Sequence, residues 1–312
     1  MSRIARYRGR FAPSPTGPLH FGSLVAALGS YLEARVHDGE WLLRIEDLDR
    51  PRCVSGAADA IMRELDRLGL HWDGAPVYQS TRGELYQASL QELASRGVSF
   101  PCACSRRDLG GRIYPGTCRD GIPPGGHART QRVRTRGVSI SFRDRVQGTI
   151  HQDLEKEVGD FVVDRADGVV AYHLAVVVDD AQQAISDVVR GADLIDSTPR
   201  QCYLGQLLGL PAPGYAHLPV ALDTDHRKLS KQSFAASTTA LPAGAALGAA
   251  LRFLGHSAPA ELEREHPSEV LRWAIANWRI GSVPACRGAI WTTPGVPYPA
   301  PSHGGKSEPV SK

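Results

Sequence analysis

A histidine two residues before a glycine, and far downstream two lysines three residues apart, are the side chains of this 312-residue chain best suited to nucleotide chemistry. The first pair lies in Arg10-Phe11-Ala12-Pro13-Ser14-Pro15-Thr16-Gly17-Pro18-Leu19-His20-Phe21-Gly22-Ser23, the second in Lys228-Leu229-Ser230-Lys231-Gln232. Joining a carboxylate to ATP builds negative charge on the α-phosphate and on the departing pyrophosphate. Donors and cations are therefore needed on both sides of the triphosphate. In the first segment the prolines and Gly17 exclude regular structure, and Leu24, Ala27, Leu28, Tyr31 and Leu32 follow at helical spacing. A helix starting there puts His20 and Gly22 at its N-terminus, where open N–H groups and the helix dipole favour phosphate. His20 can donate to a phosphate oxygen, and Gly22 lets adenine approach the backbone. The lysines follow an apolar run, Tyr215 to Leu222, and a polar turn, Asp223 to Arg227. A strand and then a loop carrying Lys228 and Lys231 suits cations that reach a leaving pyrophosphate. Taken singly, His-x-Gly also suits a structural histidine in a turn, and two lysines suit a solvated loop.

The cysteines are unevenly spread. Cys102, Cys104 and Cys118 cluster, whereas Cys53, Cys202 and Cys286 stand alone. The start Met1-Ser2-Arg3-Ile4-Ala5-Arg6 lacks the apolar stretch of an export signal, and no run of eighteen apolar residues exists to cross a membrane. A disulfide framework is thus not expected, and a cytoplasmic location is. Three close cysteines resemble three ligands of a structural zinc ion, which takes four in a tetrahedron. Tyr114 and His127 are the candidates for the fourth, with His127 favoured on general chemistry because tyrosine is a rare zinc ligand. Reduced cysteines in a loop are the alternative.

A formal net charge of +3 does not by itself announce an RNA partner. Its distribution says more: residues 101–150 hold ten arginines against three aspartates, a surplus of seven able to meet phosphates. The elements around these groups alternate as in a parallel α/β sheet. Glu40 to Glu46, Phe161 to Asp164 and Asp187 to Arg190 read as strands, with Val169 to Asp179 continuing the alternation. Val54 to Leu68, Glu84 to Arg96 and Thr198 to Leu210 read as helices. Leu241 to Leu254 and Pro267 to Trp278 form a small helical region. The expected organisation is a first half of the sheet domain at 1–100, a Gly/Arg/Cys-rich insertion at 101–160, and a second half with the lysine loop at 161–235. Helices occupy 236–291, and a Pro/Gly/Ser-rich disordered tail fills 292–312.

Three segments now make a resemblance specific. Arg10 to Gly17, Leu43-Arg44-Ile45-Glu46-Asp47-Leu48-Asp49, and the block from Ala171-Tyr172-His173-Leu174 to Arg190-Gly191-Ala192-Asp193-Leu194 with Thr198-Pro199-Arg200-Gln201 resemble the glutamyl-tRNA synthetase catalytic domain over residues 8–235. That resemblance implies a class I synthetase Rossmann-like sheet with a zinc-bearing insertion and a C-terminal helical region. It also implies an L-glutamate site formed by Arg10, Phe11, Ala12, Pro13, Ser14, Glu46, Tyr172 and Arg190. Glutamate carries two carboxylates and one ammonium, which suits two arginines and a glutamate. ATP, with Mg2+, would meet His20, Gly22, Lys228 and Lys231, and His20 and Lys231 would be catalytic.

Two departures point to a subgroup. Only about eighty residues follow Gln232, where the resemblance to ordinary glutamyl-tRNA synthetases implies a much longer anticodon-binding region, and Ala192-Asp193-Leu194 replaces their usual acid-acid-histidine run. With Leu174 to Asp180 and the Cys-x-Cys…Tyr…Cys insertion, the chain is similar to the truncated glutamyl-tRNA synthetase paralogues. Those paralogues activate glutamate without tRNA and esterify it to the queuosine base in the anticodon loop of tRNA(Asp). This resemblance implies a zinc site of Cys102, Cys104, Tyr114 and Cys118, and a monomer is expected. The rival readings are an ordinary glutamyl-tRNA synthetase, a non-catalytic RNA-binding paralogue, and a ligase passing glutamate to another acceptor.

Overall fold

The computed structural model describes residues 6–110, 113–229 and 241–291. Ser230, Lys231 and Gln232, together with the expected tail at 292–312, lie outside the described residues.

In chain order the elements are β1 (Arg8–Phe11), α1 (Phe21–Val36), β2 (Glu40–Ile45), α2 (Ala57–Arg67), β3 (Val77–Tyr78), α3 (Gly83–Ser95), β4 (Ser99–Cys102), α4 (Arg106–Leu109), β5 (Thr130–Val133), β6 (Ser139–Asp144) and β7 (Gly148–Asp153). They continue with α5 (Leu154–Glu157), β8 (Phe161–Asp164), α6 (Tyr172–Gln182), β9 (Asp187–Gly191), α7 (Thr198–Leu208), β10 (Gly214–Leu218), β11 (Val220–Leu222), α8 (Ala243–Phe253), α9 (Pro267–Asn277) and β12 (Gly288–Ile290). Parallel pairing joins β1 to β2 and β2 to β3, and a second parallel set joins β9 to β10 and β10 to β6. Ser186 N donates to Arg8 O at 3.0 Å, which brings the start of β9 beside β1. The two parallel sets thus meet at the strands that carry Arg10 and Arg190.

β4, β5 and β8 form a separate antiparallel sheet. The stretch 101–160 is therefore shared out. β5 pairs between β4 and β8, whereas β6 and its hairpin partner β7 extend the sheet of β9 and β10.

Helix α1 fills the gap between the sheet and the C-terminal helices. Leu24, Leu28 and Leu32 are buried with Trp41 of β2, Leu247 and Leu251 of α8, and Trp278. Each such leucine contributes about 1.5–3 kcal/mol by leaving water. Gly29 matters here, because a Cβ in its place would lie 2.5 Å from Leu218 Cδ1 of β10. A second core packs α3, α6 and α7 over β5 and β8 through Leu90, Leu174, Val178, Leu204 and Phe161.

Differences from the sequence reading have local causes. The helix expected from Val54 begins at Ala57, because Gly56 takes a left-handed φ of 73°. Tyr215 to Leu222 is split into β10 and β11 at Pro219, which has no N–H to give a ladder. Gly209, at φ 64°, ends α7 after Leu208, short of Leu210. Val169 to Asp179 is chiefly the first part of α6.

Candidate functional site

The end of β1, the proline turn and the first turn of α1 form one wall of a cleft of about 740 Å³. The turn is fixed by backbone bonds from Glu46 N to Pro13 O (3.0 Å) and from Val54 N to Pro15 O (2.9 Å). This wall brings Arg10, Phe11, Ala12, Pro13 and Ser14 to the cleft, with His20 and Gly22 beyond them. His20 caps α1, its Nδ1 accepting from Ser23 N at 3.3 Å. A Cβ on Gly22 would press on the His20 ring at 3.3 Å, so glycine keeps that face open. Glu46 from the end of β2, Tyr172 from the start of α6, Arg190 from β9 and Lys228 complete the lining. All eleven of these sequence-predicted residues line one cavity, and Lys231 lies outside the described residues.

Lys228 is held by a hairpin. Leu229 N bonds to Ala221 O at 2.9 Å, and Asp223 Oδ1 accepts from the N–H groups of Asp225 and Arg227. Its ammonium pairs with Asp193, so a departing anion would compete with that carboxylate.

Beneath the cleft, Arg10 and Glu46 join a charge cluster with Arg44, Arg82, Asp179 and Asp180, four residues that the sequence analysis did not assign to the site. Asp180 pairs with Arg10 at 3.1 Å and with Arg44 at 2.8 Å. Asp179 pairs with Arg82 at 2.6 Å and accepts from Gln79 (2.7 Å) and Tyr86 (2.9 Å). Glu46 lies 3.5 Å from Arg44. Burial pushes the Glu46 carboxyl above its ordinary value, against Arg44 and Arg10. Burial acts the same way on Asp180, yet Arg10 and Arg44 prevail and hold it below the usual carboxylate range. Arg10 is thus partly neutralised from behind. Arg190 is different: it is buried, and its Nη1 has no hydrogen-bond partner among the described residues.

The cysteine cluster forms its own small core with Phe100 and Tyr114. The sulfurs of Cys102, Cys104 and Cys118 lie within 4.8 Å of one another, with Cys104 and Cys118 3.8 Å apart. A zinc ion with bonds of about 2.3 Å needs a tetrahedral edge of about 3.8 Å, so the donor set fits. Tyr114 is buried, its hydroxyl 3.5 Å from Cys102 Sγ and accepting from Cys118 N at 2.7 Å, whereas His127 is exposed. Burial opposes ionisation of Cys102, but Tyr114 and Arg132 bring its thiol down to about 7.

The eight arginines of 101–150 whose side chains are described divide in two. Arg119 pairs with Asp160, Arg132 bonds to Cys102 Sγ and Asp160 O, Arg134 lies over Phe100, and Arg145 pairs with Glu33. These hold the fold together. Arg107, Arg129, Arg136 and Arg143 are exposed.

Residues 6–112 and 126–245 match the family described as tRNA synthetases class I (E and Q), catalytic domain. A glutamyl-Q tRNA(Asp) synthetase of Aromatoleum aromaticum is 54% identical over 286 residues, covering 89% of this chain and 90% of that protein. One from Thiobacillus denitrificans is 52% identical, with 94% and 98% covered. Among solved structures, the glutamate-tRNA synthetase of Elizabethkingia anophelis superposes with a TM-score of 0.78 at 24% identity, over 92% of this chain and 68% of that one. Among the described residues, no helix is long and apolar enough to cross a membrane.

Proposed function

The chain belongs to the glutamyl-Q tRNA(Asp) synthetases within the class I tRNA synthetase (E and Q) family, and from that membership we propose that it activates L-glutamate with ATP in the absence of RNA, then esterifies it to the queuosine base of tRNA(Asp). The observation that carries the reading is identity above half over about nine-tenths of the chain. In this reading Arg190 offers its open Nη1 to one glutamate carboxylate. Arg10 steadies the charge of the other, and Glu46 and Tyr172 receive the ammonium side, with the backbone from Phe11 to Ser14 closing the pocket. The α-carboxylate attacks the α-phosphorus in line and pyrophosphate departs, so positioning and charge stabilisation supply the catalysis. His20 and Lys231 stabilise the charge on the phosphates, Gly22 admits adenine, and Lys228 exchanges Asp193 for the leaving pyrophosphate. ATP enters with Mg2+. A hydroxyl of the modified base then attacks the acyl carbon and AMP leaves. Anticodon-loop bases are single-stranded and can be splayed into a pocket, the usual mode of RNA reading. Cys102, Cys104, Tyr114 and Cys118 hold a structural zinc ion. The protein works as a cytoplasmic monomer.

The test has two arms. Glutamate-dependent exchange of pyrophosphate into ATP should proceed with no RNA, and tRNA(Asp) carrying queuosine should accept glutamate while the same tRNA carrying guanine does not. Equal charging of the two, or label on the 3′-terminal adenosine, would refute the assignment.

A further inference from the structure

Every hydrogen-bond partner of Arg190 among the described residues is neutral. Nε donates to His217 Nε2 at 3.1 Å, and Nη2 donates to Thr198 Oγ1 (2.9 Å) and Gln201 Oε1 (2.6 Å). His217 stands opposite Arg190 in the β9–β10 register and is wholly buried. Its Nδ1 lies 2.6 Å from Asp144 Oδ2. Asp144, at the end of β6, is buried too, and its Oδ1 accepts from the N–H groups of Val146 (2.9 Å), Gln147 (2.8 Å) and His217 (3.1 Å).

These contacts fix the protons. A guanidinium N–H can only donate, so His217 Nε2 presents its lone pair to Arg190. Three backbone N–H groups donate to Asp144 and favour its carboxylate form, which can only accept, so His217 Nδ1 carries the hydrogen. The Thr198 hydroxyl lies 3.1 Å from both Leu194 O and His217 Nε2, and by donating to Leu194 O it leaves the Nε2 lone pair to Arg190.

We propose that Asp144 and His217 are positioning residues for glutamate. The Asp144 carboxylate selects the Nδ1–H tautomer of His217, and the Nε2 lone pair then holds the Arg190 guanidinium by one edge, leaving Nη1 for a substrate carboxylate. A carboxylate bonded directly to Arg190 would fix it equally well but would compete with the substrate. A neutral imidazole with a carboxylate behind it fixes the geometry and leaves the charge available. The device joins three strands: β6 supplies the anion, β10 the imidazole and β9 the receptor. It rests on the reading of Arg190 as a carboxylate receptor given above.

Two measurements test it. Nitrogen-15 NMR of the intact protein, with the His217 signals assigned by their loss in His217→Gln, should show a neutral ring protonated at Nδ1 at neutral pH. An Nε2–H tautomer or an imidazolium overturns the proposal, and this result decides the matter should Asp144→Asn fail to fold. The second measurement is exchange kinetics with glutamate and ATP each varied. Asp144→Asn can donate to Nδ1 and drive the proton to Nε2, against Arg190. It should raise KM for glutamate about tenfold or more, the loss of roughly one charged hydrogen bond, with KM for ATP held within about twofold. His217→Gln keeps a donor toward Asp144 and an acceptor toward Arg190, and should stay within about threefold of wild type. An unchanged glutamate KM in Asp144→Asn, or equal rises in both KM values, overturns the positioning role. If Arg190→Leu leaves the glutamate KM unaltered, the receptor reading falls instead. The tautomer, measured without substrate, separates the two failures.

Discussion

Asp180→Asn keeps the shape of a side chain at the centre of the charge cluster and removes its charge. The cluster sets the guanidinium groups of Arg10, Arg44 and Arg82 against the carboxylates of Glu46, Asp179 and Asp180. Arg44 is wholly buried, so the substitution leaves an uncompensated positive charge in the interior. Removing one partner of a buried pair costs about 3–5 kcal/mol. The asparagine oxygen still accepts one bond, worth roughly 1 kcal/mol, so the expected loss at neutral pH is about 2–4 kcal/mol. At roughly 2 °C per kcal/mol for a large chain, Tm should fall by about 4–8 °C. The pH dependence fixes the cause. Because the folded Asp180 carboxyl lies below its ordinary value, its stabilisation is complete above the unfolded value of about 3.9 and is lost as pH falls through the lower folded value. Thermal scans of both proteins should therefore show a constant gap from pH ~7 to ~5 that narrows only below about pH 4. No gap at neutral pH would refute the charge-balance argument. A gap already shrinking between pH ~7 and ~5 would mean that the folded carboxyl is raised, and would refute it as well.

Metal analysis of protein purified without chelator should find about one zinc per chain, lost on Cys102→Ser or Cys118→Ser. Transfer to RNA should suffer more than pyrophosphate exchange, and equal damage to both would place the metal in support of the cleft. Transfer should also weaken with salt, because Arg107, Arg129, Arg136 and Arg143 are exposed and free to meet backbone phosphates. Four contacts at about 0.7–0.9 each give a log–log slope near −3. A slope near −7 would require the interior arginines as well and would refute that division.

What was legible in the sequence was what lies close together along the chain. The turn from Arg10 to Gly22 carries its own prolines, glycine and helix start, so its local chemistry fixed both its shape and its partners. Asp179 and Asp180 gave no such signal. Adjacent acids on a helix usually mark a solvated face, and only the fold brings Arg10, Arg44 and Arg82 to them from three other segments. Asp144 was hidden for the same reason, since its role depends on β6 lying beside β10. The arginines of 101–150 look alike in the sequence, yet Arg132 is buried against a cysteine sulfur while Arg136 faces water. Burial, which decides between those two roles, is a property of the assembled sheets.

Glu33 in α1 takes its buried bonds from distant parts of the chain. Its carboxylate accepts from Arg145 at 2.8 Å and from Trp278 Nε1 at 2.5 Å, across a separation of 245 residues. The stacking of Phe21 on Trp291, with centroids 3.9 Å apart, spans a similar stretch. The helix that starts at His20 is thus among the first elements to be synthesised and among the last to be finished. At about 5–20 residues per second, roughly 12–50 s separate the synthesis of Glu33 from that of Trp278. Throughout that interval the apolar face of α1 lacks α8 and α9, and its glutamate lacks one of its donors. The wall of the cleft that carries His20 and Gly22 therefore gains its last packing partners only when the C-terminal segment docks.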